Sequence, residues 1–134
     1  MLEKTIQKLR EVNEEVPIPL RLPTDEEILN AEITLNKKFH PDFKKYLKEA
    51  SDVTFGALEP LVVVSGDDRL FLPLVANEAW DYGLPKDLLP ICEDNGDYFA
   101  IDDNGQVHYW SHNGATEEKW TDLSTWIKEI WLEE

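Results

Sequence analysis

The sequence predicts an α+β fold in which an antiparallel sheet carries helices packed mainly on one face. Three observations lead there. The first fifty residues hold three separate stretches of helical periodicity, the pattern then changes to short apolar runs split by Asp, Asn and Gly, and an apolar helical stretch closes the chain. A run of helices followed by a run of strands argues against alternating βαβ units.

Leu2, Ile6, Leu9 and Val16 recur near helical spacing among charged residues, which predicts an amphipathic helix ending before Val16-Pro17-Ile18-Pro19. The two prolines make an extended connector. Thr24-Asp25-Glu26-Glu27 is a capping box: Thr24 can accept from the Glu27 backbone N–H while Glu27 reaches back, so a second helix runs from there to about Asn36. His40-Pro41-Asp42 opens a third helix with proline at its first position, and Phe43, Tyr46, Leu47 and Ala50 share one face.

Glu59 to Val64 and Arg69 to Leu72, split by Ser65-Gly66-Asp67-Asp68, read as two strands joined by a hairpin or an open turn. A short helix from about Leu74 to Tyr82 follows and stops at Gly83. Leu88 to Cys92, Asp97 to Asp102 and Gln106 to Trp110, the last two joined by Asp103-Asn104-Gly105, predict three strands in meander order. Leu123, Trp126, Ile127, Ile130 and Trp131 form the apolar face of a closing helix over about 123–132.

A chain of 134 residues with five Trp, four Tyr and five Phe can bury one core without metal or disulfide staples. One domain over 1–134 is expected, with 1–20 as N-terminal helix and connector and 21–134 as the core. The single Cys92 cannot form an intramolecular bridge and no export segment opens the chain, so a cytoplasmic protein is expected. The longest uninterrupted apolar runs, such as Leu61 to Val64, fall far short of the roughly 20 residues of a membrane span.

Twenty-eight acidic against 13 basic residues give a net charge of −15, which repels phosphate backbones and anionic lipid. Direct binding to nucleic acid or membrane is thereby disfavoured. A solvated surface explains such a charge as well as an acidic docking face does.

Signs of catalysis are few. His108 and His112 could share a strand face, but a metal needs a third ligand, and surface histidines are the simpler reading. The runs Glu93-Asp94-Asn95-Gly96-Asp97 and Asp102-Asp103-Asn104-Gly105 lack the spacing of a calcium loop and fit turn chemistry. Cys92 lies in an apolar strand, where a thiol packs as a small hydrophobe. No glycine-rich phosphate loop is present, so no nucleotide cofactor is expected. Among the tryptophans, Trp126 and Trp131 belong to a core face, whereas Trp80, Trp110 and Trp120 are freer to line a binding surface.

The Pro-led helix His40-Pro41-Asp42-Phe43-Lys44-Lys45-Tyr46-Leu47, after the capped helix from Leu22-Pro23-Thr24, resembles a signature of the SUKH superfamily. Gly96 to Asp102 and Gly105 to His112 resemble its central hairpin, and the closing helix sits where that family has one. The likeness runs from about Leu22 onward. It departs at His40-Pro41, where the family usually has Leu-Pro, and at Ser51 to Gly56, which replaces a glycine-rich turn.

The resemblance implies a SUKH-like, non-catalytic binding module. Bacterial members resemble immunity proteins that neutralise toxins, often nucleases, and fungal relatives look like cell-wall regulators. No catalytic residue, metal or cofactor is carried over. The expected partner is a basic protein such as a toxin domain, met through Asp94, Asp97, Asp103, Trp110 and His112. A regulatory adaptor of the same fold is the alternative, and a small-ligand or metal-binding enzyme a remote one.

Overall fold

The computed structural model describes residues 1–134, the Ala115 side chain excepted. Four helices come first: α1 (Leu2–Val12), α2 (Asp25–Leu35), α3 (Pro41–Ala50) and α4 (Leu72–Asp81). Strands β1 (Leu89–Asp94), β2 (Asp97–Ile101), β3 (Val107–Ser111) and β4 (Gly114–Trp120) follow, and α5 (Leu123–Trp126) continues as a π-helical turn over Ile127–Trp131. The sheet is an antiparallel meander in the order β1-β2-β3-β4, so the α+β class with an antiparallel sheet is the one observed.

Local signals placed α2 and α3. Thr24 Oγ1 accepts from Glu27 N at 3.1 Å, Glu27 Oε1 accepts from Thr24 N at 2.9 Å, and Arg21 grips the Glu27 carboxylate from outside at 2.8 and 2.7 Å. The Arg21 hydrogen bonds, then that from Thr24 N, hold Glu27 down at a pKa of about 2. Asn36, with φ 51°, ends α2 in the left-handed conformation. In α3 the expected face of Phe43, Tyr46, Leu47 and Ala50 is buried.

The first helix joins the same apolar cluster as the remainder of the chain through Leu2, Ile6 and Leu9. Thr5 Oγ1 and Ser124 Oγ, 2.6 Å apart and buried, tie the first helix to the last.

Along β2 both faces are closed. Phe99 meets Trp126 of α5 at 5.3 Å between ring centres, whereas Tyr98 lies against Trp110 on the opposite face at 6.0 Å. Gly83, at the end of α4, lies over Trp110, and a Cβ on that glycine would come to 3.7 Å from the indole.

Four expectations need correction. The 59–72 segment is not a hairpin: Val62 bridges Phe71 in parallel sense and Pro60 bridges Cys92, with Leu61 N donating to Ile91 O at 2.8 Å. Its apolar run fills the core, Leu61 being fully buried, and lies against the outer edge of β1, which would otherwise present unpaired backbone. The meander has a fourth strand, β4, whose Glu117-Glu118-Lys119 gives no apolar alternation because it forms a solvated edge. α4 begins at Leu72, two residues early, with Pro73 in its first turn, where no amide hydrogen is needed. The closing helix leaves α geometry after Trp126, and that wider turn brings Trp131 to donate its indole N–H to Phe55 O at 3.0 Å.

Candidate functional site

The turn between β1 and β2 is formed by Asn95 and Gly96, whose φ of 52° and 90° suit a two-residue hairpin loop. It brings Asp94 opposite Asp97. At the same end of the sheet, the β3–β4 turn carries His112, and Asp97 joins the two turns: its carboxylate accepts from Tyr109 Oη at 2.7 Å and from His112 N at 3.1 Å, and lies 2.8 Å from His112 Nδ1. Those hydrogen bonds, Tyr109 first, hold Asp97 at a pKa of about 2, and the same contact pushes Tyr109 up to about 12.

Asp97 is therefore a buttress. The sign of its contribution follows from a depressed carboxylate: the stabilisation is complete above the ordinary Asp value of about 3.9 and is lost as pH falls toward 2. In acid titrations followed by circular dichroism, Asp97→Asn should be less stable than the parent at neutral pH and lose less stability between pH 4 and pH 2. Parallel profiles for the two proteins would show that the carboxylate charge is not what those donors hold.

The other expected residues separate. Trp110 is only 6% exposed and stacks beneath the end of α4, so it supplies core and not surface. Asp103 sits in the β2–β3 turn at the opposite end of the sheet, with Lys37 Nζ at 3.7 Å. Crossing β2 from Asp97 to Asp102 takes about 16 Å at roughly 3.3 Å per residue. Asp94, Asp97 and His112 share one end, and Asp103 does not belong with them.

Beside Asp103, Asp102 organises the far turn: its carboxylate lies 2.7 Å from His108 Nε2 and accepts from Asn104 N and Gln106 N at 2.9 and 3.0 Å. Burial opposes its charge, but these bonds prevail and its pKa is lowered. The two histidines thus serve separate turns. Among the described residues, no three of His, Cys, Asp and Glu converge as metal ligands. Burial, then the charges of Asp94 and Glu93, pushes the Cys92 thiol up to about 12, which leaves it protonated and unreactive at neutral pH.

Several residues at the Asp94 end were not singled out from sequence. The charges of Glu93, Asp94 and Glu59 act together on Cys92, those of Glu93 and Glu78 on Tyr98, and those of Asp94 and Glu118 on Tyr109. Five acids from four different segments thereby lie near β1, β2 and β3, with Glu93 and Asp94 at the β1–β2 hairpin itself, and Tyr82, 71% exposed, lies near Tyr98. Arg69, held by Glu59 through two hydrogen bonds and by Asp67, is already neutralised.

The signal for this asymmetry lies in how the charge is distributed along the chain. Residues 1–48 hold nine basic and nine acidic residues, whereas 49–134 hold four basic against nineteen acidic. The whole net charge resides in the part that carries the sheet.

The SUKH_5 family, described as SMI1-KNR4 cell-wall, matches residues 2–132. A crystal structure of a protein from Pseudomonas syringae pv. tomato is 40% identical and superposes with a TM-score of 0.93, covering 98% of this chain and 99% of that one. No curated protein matches. No helix is long and apolar enough to cross a membrane.

Proposed function

Because the chain belongs to the SUKH_5 (SMI1-KNR4 cell-wall) family, a group that includes immunity proteins, we propose that it is a non-catalytic binding module that neutralises a basic toxin domain. The observation that carries this is the concentration of acids about the sheet, with Glu93 and Asp94 at the β1–β2 hairpin and Glu78 and Glu118 near its tyrosines. A cleft built for phosphate is basic, and a complementary acidic surface speeds encounter by about 10- to 10³-fold while disfavouring other acidic proteins. Tyr82 adds an exposed aromatic of the type that anchors interfaces. The buried Trp110 and the hydrogen-bonded Asp97 hold the hairpin in place behind that surface.

The test is affinity capture of the protein from its native cells at low and at high salt. A basic nuclease-like protein retained at low salt and released as salt rises is the expected result, since exposed charges are screened within about 10 Å at 0.1 M. Capture of a regulator or envelope enzyme equally at both salts would instead assign the chain to the adaptor members of the family.

A further inference from the structure

The register of the sheet makes Glu93 of β1, Tyr98 of β2 and Trp110 of β3 direct cross-strand partners, so their side chains share one face. The Tyr98 and Trp110 rings lie 6.0 Å apart, and the end of α4 lies over Trp110 at Gly83. Tyr82, the residue before that glycine, is 71% exposed, and Glu78 stands one helical turn earlier on the same side of α4. Tyr98 is only 4% exposed, yet its hydroxyl makes no hydrogen bond among the described residues. Burial, then the charges of Glu93 and Glu78 and the Tyr82 phenol, raises the pKa of that hydroxyl, which places these groups near it.

A nearly buried hydroxyl without a partner is uncommon, and it costs stability unless a polar group arrives from outside. Its surroundings define the kind of group. Glu78 and Glu93 are exposed, and no basic side chain pairs with either among the described residues. One Glu93 oxygen accepts from Gly96 N at 2.6 Å, and the other makes no hydrogen bond among the described residues. The arrangement therefore offers acceptors and an aromatic face but no cation. A guanidinium matches that set: its planar fork carries five N–H donors, enough for both carboxylates and Tyr98 Oη, and its face stacks on a ring such as Tyr82. An ammonium has three donors about one point and no face to stack.

We infer that Glu78, Tyr82, Glu93 and Tyr98 form the seat for one arginine side chain of the partner, with Tyr98 Oη as the acceptor that fixes its position. The inference rests on the reading that the partner is basic, and it names the group that partner inserts. The probe is N-acetyl-arginine methylamide, titrated into the full chain and followed residue by residue by heteronuclear NMR. Saturable shifts concentrated at Glu78, Tyr82, Gly83, Glu93 and Tyr98 are expected, with none from citrulline, the uncharged isostere, in the same blocked form. Tyr82→Ala should weaken binding about two- to fivefold through loss of the cation–π contact. Tyr98→Phe should weaken it about threefold or more, and because its hydroxyl has no partner in the free protein this variant should melt no lower than the parent. Four results overturn the inference: no saturable shift, shifts spread evenly over the acidic surface, an equal response to blocked citrulline or lysine, or unaltered affinity in Tyr98→Phe. Localised arginine binding with no basic partner captured from cells would keep the seat and remove the toxin reading. A captured basic partner that holds Tyr82→Ala and Tyr98→Phe as tightly as the parent would keep that reading and remove the seat.

Discussion

Replacing Trp126 with Ala should lower the free energy of unfolding by about 3–5 kcal/mol, the range for deleting a fully buried aromatic. Trp126 is 1% exposed and lies where α5 passes into the π-helical turn, against Phe99 of the central strand. Its loss would open a cavity between the sheet and the closing helix and remove about a fifth or more of the 5–15 kcal/mol typical of a domain. Urea titration measures it. Phenylalanine at the two buried indoles gives a sharper contrast. Trp126 Nε1 has no hydrogen-bond partner among the described residues, so Trp126→Phe removes a buried donor that gains nothing from folding. Trp131→Phe would strand the Phe55 carbonyl that its indole now serves, and should be the more costly of the two. The reverse order would mean that the packing of the larger ring, not its N–H, decides.

Reversing Asp94 and Glu118 together to Lys should slow association with the basic partner by about 10- to 100-fold at low salt, with the difference shrinking as salt is added. Both carboxylates act on Tyr109, Asp94 from the β1–β2 hairpin and Glu118 from β4, and neither forms an ion pair among the described residues. Stopped-flow or surface-based kinetics with the captured partner would read this directly. Asp103→Lys is the control, since Asp103 lies at the opposite end and already has Lys37 beside it. Equal slowing by the control would show that net charge alone steers the encounter and that this hairpin is not the contact surface.

The difference between Asp94 and Asp103 also shows how far the sequence could be read. α2 and α3 were legible nearly to the residue because their boundaries are set by neighbours in the chain: Thr24 with Glu27, Pro41 at the start of α3, Asn36 in the left-handed cap. The β1–β2 hairpin was legible for the same reason, Asn95-Gly96 being the dipeptide its turn requires. β4 was not legible, since an edge strand keeps its polar residues in solvent and loses the period-two signal. The segment around Leu61 misled in the opposite direction, because a buried connection and a strand share the same apolar run.

Composition, charge and local turn chemistry by themselves determined an acidic α+β chain with capped helices and an antiparallel meander, because each of those properties depends on residues a few positions apart. Which acids stand together was decided only by the tertiary structure. Glu59, Glu78, Glu93, Asp94 and Glu118 come from segments separated by up to sixty residues, and Trp110 changes from candidate anchor to core once the end of α4 lies over it. A surface is a property of packing. Burial and electrostatic proximity depend on which segments the core draws together, and the local pattern along the chain holds no record of that.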